Sequence, residues 1–175
     1  MTPWQVASRA PSSSLAAFLA LLLSGLILPT RAIAETVSLR PSQDTTITRL
    51  QPNRNHGEEP VLKIRALFRK RTLVQFDQAA IAAAVGSGTL RSAKLRLTIL
   101  ESHHWGPEGR AVAVHRMTQA WTEFGATWFC PDDRNLQNHV PDCTRWFMGV
   151  GGPAPFVPTP TTRARHRNGQ TGPVE

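Results

Sequence analysis

The chain has 175 residues and a formal net charge of +8 at pH 7, with 20 lysines and arginines against 12 aspartates and glutamates. Beyond its first 34 residues the length suits one domain with its own core, and no later stretch is apolar enough to cross a membrane. The positive charge favours an acidic partner such as an anionic polysaccharide or a cell envelope; the alternative is a solvated, arginine-rich surface without a specific partner.

The first 34 residues have the pattern of a secretory signal peptide. Arg9 is followed by an apolar run at 15–28, and Ala32-Ile33-Ala34 supplies the small-x-small site at which a signal peptidase cuts, before Glu35. A membrane anchor is the alternative, but the run is about 14 residues long and a membrane span needs about 20. We therefore expect a protein secreted or held at the cell surface. For such a protein nucleic acid is the least expected acidic partner.

The remainder of the chain is predicted to be all-β. Short apolar runs alternate with turn residues, and no segment has a convincing helical stripe apart from an alanine-rich turn at 79–85. This recurrence favours a β-sandwich over alternating β and α units. We predict strands at residues 45–47, 61–66, 71–77, 94–100 and 111–115.

The run from Lys94 to Leu100 is the clearest predicted strand. Leu95, Leu97 and Ile99 fall on one face, while the intervening residues are polar or charged. The end of the chain is different. Residues 149–160 are rich in glycine and proline, and residues 161–175 are polar and basic, with arginine at every second position from 163 to 167. We therefore predict a sandwich module over 35–160 and a basic tail without strands over 161–175.

Several motifs, taken in order, resemble those of the DNRLRE-type secreted modules, a group that includes carbohydrate-binding and disaggregatase-related domains. The resemblance extends over about residues 44–160, most of the predicted mature chain. Each motif is weak alone, and the specificity comes from their order and spacing. They are Asp44-Thr45-Thr46-Ile47, Gln51-Pro52-Asn53-x-Asn55-x-Gly57, Leu62-Lys63-Ile64-Arg65, Arg71-Thr72-Leu73-Val74-Gln75-Phe76-Asp77, Ser92-Ala93-Lys94-Leu95-Arg96-Leu97, Val114-His115-Arg116-Met117-Thr118 and Trp121-Thr122-Glu123-x-x-x-Thr127-Trp128.

The resemblance implies a jelly-roll β-sandwich on an exported protein, and some members of the group bind acidic polysaccharide such as alginate. Family members continue with further strands after the position of Glu175, including the segment that names them, and no such string occurs here. We therefore expect a jelly roll that lacks its last strands. Unpaired sheet edges and uncovered apolar faces would be the physical consequence.

Two cysteines, Cys130 and Cys143, fall in the predicted exported part. An isolated pair in an oxidising compartment is expected to form a disulfide. The loop between them also holds Asp133, Asn135 and Asp142, whose oxygens are the type that calcium prefers, although such residues are also ordinary turn formers. Structural calcium is thus the one cofactor considered, and a zinc site is disfavoured because no suitable ligand spacing occurs.

Cations on the outward faces of the predicted strands are the candidate ligand-binding residues. If the strands share one sheet, Lys63, Arg65, Lys94 and Arg96 would form a stripe suited to carboxylates or sulfates, with Arg71 at a strand entry. The alternative is that such charges merely block edge pairing. Trp105, beside Gly106-Pro107, is the aromatic residue most expected to be exposed for sugar stacking, whereas the other tryptophans of the module are expected in the core.

No catalytic constellation occurs in the sequence. The chain lacks Gly-x-Ser-x-Gly, His-Glu-x-x-His and phosphate-loop motifs, and it has no tyrosine. We therefore predict a non-catalytic carbohydrate-binding module, most plainly for an acidic polysaccharide. A structural cell-surface or adhesion module without sugar binding is the alternative, and a polysaccharide-degrading enzyme ranks below both.

Overall fold

The computed structural model describes residues 35–67, 69–146 and 154–174. The predicted signal peptide, residues 1–34, lies outside the described residues. A compact unit extends over Val37–Glu175. Within the described ranges, no helix has the length and hydrophobicity needed to cross a bilayer.

The described chain is all-β, as predicted, with a single α-helix. Six strands pair in three antiparallel, two-stranded sheets: β1 with β2, β3 with β6, and β4 with β5. This pairing does not by itself establish a jelly roll, which stays a prediction. The elements are β1 (Gln43–Thr48), β2 (Lys70–Gln75), α1 (Gln78–Val85), β3 (Leu97–Ile99), β4 (Arg110–Val114), a 3₁₀ turn (Leu136–Asn138), β5 (Thr162–His166) and β6 (Gly172–Val174).

Strand β1 is buried on both faces and anchors the core. Its register places Thr45 opposite Leu73 and Ile47 opposite Arg71 of β2, so these four side chains share one face. Ile47 and Leu73 pack there with buried tryptophans. The core face of β2 is therefore the one that carries Arg71 and Leu73, not the one that carries Val74.

Three tryptophans form most of the core, as predicted for the residues of the Trp-Thr-Glu stretch. Trp121, Trp128 and Trp146 are each at most 6% exposed. The indole N–H of Trp146 donates to the carbonyl oxygen of Thr127 at 3.1 Å, so its one polar group is satisfied inside the core. The predicted disulfide between Cys130 and Cys143 is present beside this cluster.

The short helix α1 follows the predicted alanine-rich turn. Asp77 caps its N-terminus by accepting hydrogen bonds from the backbone N–H groups of Ala79 at 2.6 Å and Ala80 at 3.2 Å. Gly86 ends the helix at a φ of +55°, a conformation that favours glycine. Alanine propensity and these two caps explain a helix with no buried residues.

Two predicted strands are shorter than the alternation indicated. Residues 61–66 contain only an isolated bridge between Arg65 and Lys70, and the N–H of Lys63 donates to the hydroxyl of Thr46 at 2.9 Å instead of to a neighbouring strand. In 94–100 the alternating burial is present, but strand pairing is limited to Leu97–Ile99. Periodicity reports which side chains are covered, whereas a strand also needs a partner along its whole length.

The prediction of a C-terminal tail without strands is wrong. β5 runs antiparallel to β4, with Arg163 opposite Ala113, and β6 runs antiparallel to β3, with Val174 opposite Leu97. The basic, glycine- and proline-containing sequence hid these strands because most of β5 is exposed and β6 is only three residues long. Pro173 is tolerated because β6 has one partner only, so its other edge needs no N–H donor.

Candidate functional site

The predicted cation stripe does not form on a shared sheet. Neither Lys63 and Arg65 nor Lys94 and Arg96 lie within a strand, although Arg65 makes one bridge, and β3 pairs with β6 and not with β1 or β2. All four residues are exposed. The structure thus keeps these cations at the surface without the common strand face that the alternation had suggested.

Lys63 is held by an acidic neighbour. Its ammonium group lies 2.7 Å from Glu59, and the other carboxylate oxygen of Glu59 lies 2.6 Å from Nδ1 of the buried His56. The hydrogen bond from Lys63, followed by that with His56, lowers the pKa of Glu59 to about 2. Part of the charge of Lys63 is therefore compensated within the protein before any ligand arrives.

Arg71 lies on the core face of β2 and is half-buried there. Its guanidinium carbon is 5.4 Å from the ring centre of Trp128 and 5.3 Å from that of Phe156. These distances are within the range of cation–π contact. Burial lowers the pKa of Arg71, and repulsion from Arg69 adds to this effect. The register with β1 explains this position, because it puts Arg71 on the same face as Ile47.

Trp105 is half-buried, where the sequence favoured exposure. Its ring meets the ring of the buried His166 edge-on, with 6.0 Å between ring centres. The turn that follows Trp105 approaches β5 closely, since a Cβ atom on Gly109 would lie within 3.0 Å of backbone atoms of His166. Trp105 thus lies at the end of the β4–β5 sheet, with part of its ring covered.

A second group of cations lies on the β4–β5 sheet, in the segment predicted to be a tail. Arg163 and Arg165 project from β5, and Arg167 continues the same alternation immediately after the strand; all three are exposed. We call these three residues the arginine row. The spacing itself could have revealed the arginine row. Charge at every second residue is typical of a strand with one exposed face, although the basic composition also suits a tail.

The loop closed by the disulfide contains the predicted calcium ligands. Asp133 is buried, and one of its oxygens accepts the N–H of Asn135 at 3.2 Å, while Asp142 accepts the N–H of Arg134 at 2.7 Å. Burial, together with a hydrogen bond to Asp142, raises the pKa of Asp133, whereas the bond from the Arg134 backbone lowers that of Asp142. These carboxylate oxygens thus hold the backbone of the loop through hydrogen bonds.

Metal binding by this loop stays a prediction. Calcium takes six to eight oxygen ligands, and two of the candidate carboxylates already accept backbone hydrogen bonds. In the described ranges, no three histidine, cysteine, aspartate or glutamate side chains converge as a metal site would require. An open cleft of about 530 Å³ adjoins the loop and is lined by polar groups of Gln119, Asp132 and Arg134.

Two uncharged motif residues, Asn55 and Gly57, stabilise the fold. Asn55 donates from its amide to the carbonyl oxygens of Glu123 at 2.7 Å and Ala126 at 2.8 Å, and its own oxygen accepts the N–H of Gly57 at 2.9 Å. A Cβ atom on Gly57 would collide with the Glu123 carbonyl. The Asn-x-Gly motif therefore joins the first turn to the tryptophan-containing loop, which is a structural role.

A β-rich module with a disulfide is compatible with an extracellular location. The chain matches the family model described as carbohydrate-binding module family 96 over residues 35–132, more than half of its length. The chain belongs to this family, and its partner is accordingly a carbohydrate. Neither the curated proteins nor the solved structures compared with the chain include a match.

Proposed function

We propose that this module binds an acidic polysaccharide and does so without catalysis. The observation that carries the proposal is the combination of the family match over residues 35–132 with an excess of cations, 20 against 12 acidic residues. A carbohydrate-binding module needs no charge to bind a neutral sugar, so a strong positive balance favours a ligand that carries carboxylates or sulfates. Arginine matches both groups with two parallel hydrogen bonds.

Exposed basic residues inside the matched segment are the first candidates for this contact. Lys63, Arg65, Lys94 and Arg96 are all exposed, and the ammonium group of Lys63 contacts Glu59. We expect all four to contribute, because an exposed ammonium or guanidinium group can exchange a contact within the protein for a carboxylate or sulfate of the ligand. Arg71 is half-buried against Trp128, so we expect its contribution to the site to come more from packing than from contact with the ligand.

Export belongs to the same proposal. The pattern of residues 1–34 is that of a signal peptide, and the disulfide between Cys130 and Cys143 is compatible with an oxidising compartment. An acidic polysaccharide of a cell envelope or of an extracellular matrix would be met there. The organism's particular polymer would then set which uronate or sulfate pattern is bound.

Calorimetry against a panel of polysaccharides tests the proposal. The purified chain is titrated with alginate, pectate, a heparin-like chain and a neutral β-glucan, each at low and high salt. We expect binding to at least one acidic polymer that weakens with salt, since screening reduces contacts between exposed charges. A variant with Lys63, Arg65, Lys94 and Arg96 all changed to alanine is expected to bind more weakly.

Three results would contradict the proposal or part of it. Preferred, salt-insensitive binding to the neutral glucan would assign the module to uncharged sugars. A cooperative thermal transition with no binding to any polymer would favour the adhesion module instead. Release of reducing ends or unsaturated sugars by the purified chain would overturn its non-catalytic part.

A further inference from the structure

The β4–β5 sheet has one covered face and one open face. Pairs Ala111–Arg165 and Ala113–Arg163 lie on the open face, and all four residues are exposed. The opposite face carries Val112, Val114 and Ala164, which are half-buried, and the buried His166. On the open face, Arg163 and Arg165 therefore lie beside the small side chains of Ala111 and Ala113, which do not obstruct access to the sheet.

The arginines are arranged in a line. Alternate residues of a strand are about 7 Å apart, so the arginine row from Arg163 to Arg167 extends over about 13 Å. No acidic residue occurs in β4 or β5, and Glu108 in the preceding turn is the one acid between residues 105 and 116. The row thus presents three positive charges at regular intervals on a short, extended backbone.

Part of the row is held in place by the fold. The guanidinium group of Arg165 donates from Nη1 to the carbonyl oxygen of Glu108 at 2.9 Å, with Gly109 O at 3.4 Å. The side-chain stem of Arg167 lies near Gly109, with its Cγ atom 3.1 Å from the position of an added Cβ. The guanidinium group of Arg165 is therefore restrained by this turn, which reduces the entropy that it loses on binding a ligand, and the stem of Arg167 passes close to the same turn.

We propose that the arginine row, over the floor of Ala111 and Ala113, is a binding surface for a linear acidic polysaccharide. This inference rests on the proposed function and extends the contact beyond residues 35–132, since the row lies outside the matched segment. A line of guanidinium groups fits a chain with repeating carboxylates or sulfates better than it fits a single compact anion. The small alanines allow a broad sugar backbone to approach the sheet.

The sharpest test adds a charge and removes no arginine. In Ala113→Glu the new carboxylate lies directly across the strand from Arg163, where opposite charges attract. Ala113→Gln is the matched control, with similar size and no charge. At low salt we expect the affinity for the acidic polymer that the wild type binds to fall about tenfold in the glutamate variant and to change by less than about twofold in the glutamine variant.

A second pair of variants removes the charges themselves. Arg163→Gln combined with Arg167→Gln leaves Arg165 and its turn contacts intact, and Arg91→Gln, an exposed arginine before β3, is the comparison. We expect about a tenfold loss for the double variant and little change for Arg91→Gln. Thermal melts of all variants verify that the fold is kept.

The outcomes separate the two proposals. A wild-type chain that binds no acidic polymer contradicts the proposed function. Wild-type binding that neither Ala113→Glu nor the arginine double variant weakens leaves that function standing and overturns the arginine row. Equal affinity for single-stranded DNA of similar charge density, lost in the same variants, would overturn the assignment to a polysaccharide and leave a surface for polyanions in general.

Discussion

The fold strongly alters the electrostatics of Glu59. It accepts hydrogen bonds from Lys63 at 2.7 Å and contacts His56 at 2.6 Å, and its pKa is lowered from 4.5 to about 2. A carboxyl with a lower pKa in the folded state stabilises that state where it is ionised. This contribution is therefore complete above about pH 4.5 and is lost as the pH falls towards 2.

The substitution Glu59→Gln tests this contribution. We expect the free energy of unfolding at pH 7 to fall by about 1 kcal/mol, because one charge-assisted interaction is lost. The difference between wild type and variant should shrink as the pH is lowered below 4.5. Denaturant unfolding between pH 3 and pH 7 measures it, with the exposed Glu58→Gln as control; parallel pH profiles for wild type and Glu59→Gln would contradict the assignment.

Residue-scale chemistry also explains why the two cation groups differ. The charge of Lys63 is partly compensated by Glu59. The guanidinium group of Arg71 is half-buried against the rings of Trp128 and Phe156. The arginine row lies on strands that contain no acid, and one member is bound only through backbone carbonyls. Hydrogen bonds to carbonyls leave the positive charge of Arg165 in place for a ligand, whereas an ion pair would offset it.

At the scale of elements, the disulfide loop is the clearest local unit. The bridge joins residues 13 apart, Cys130 is fully buried, and the backbone of the loop is tied by Asp133 and Asp142. The bond between Thr127 and Cys130 further connects the loop to the tryptophan core, because the N–H of Cys130 donates to the Thr127 hydroxyl at 3.0 Å. The loop is thus attached to the core at its start.

Removal of the bridge should lower stability by a predictable amount. For a loop of this length, the variant Cys130→Ala with Cys143→Ala is expected to lose about 3 kcal/mol of unfolding free energy. Chemical denaturation with and without a reducing agent measures the loss. The reductant should destabilise the wild type and leave the double variant unchanged; an equal effect on both proteins would show that the bridge is not the cause.

At the scale of the whole molecule, the pairing of distant segments closes the unit. β3 and β4 in the middle of the chain are completed by β6 and β5 near its end. Leu97, Val112 and Val114 are half-buried in these sheets. Without the C-terminal strands, their backbone groups and apolar side chains would face water.

A truncation after Pro160 tests this closure. We expect the midpoint of thermal unfolding to fall by at least about 10 °C, or the cooperative transition to be lost, because two sheets lose one strand each. The matched control is the full chain with Arg163, Arg165 and Arg167 changed to glutamine, which removes the charge and keeps the strands. Similar midpoints for the truncated and full chains would contradict a role for β5 and β6 in stability.

The features that could be derived from the sequence depend on local information. The alternating side chains of 94–100 and short extended runs such as 45–47 indicated an all-β chain, the alanine-rich turn indicated the helix, and a single pair of cysteines allowed one disulfide. The ordered motifs pointed to a carbohydrate-binding module, and the family match agrees. Each of these signals lies within a short segment or in residue type alone.

Only the tertiary structure decided where the cations lie. The alternation allowed Lys63, Arg65, Lys94 and Arg96 to share one sheet, and residues 161–175 were predicted to be a tail. The fold instead pairs that segment with β3 and β4. Strand partners are chosen by contacts between segments far apart in the chain, and periodicity within one segment carries no record of them. Composition therefore determined that this protein is strongly basic, and long-range pairing determined which arginines form a row.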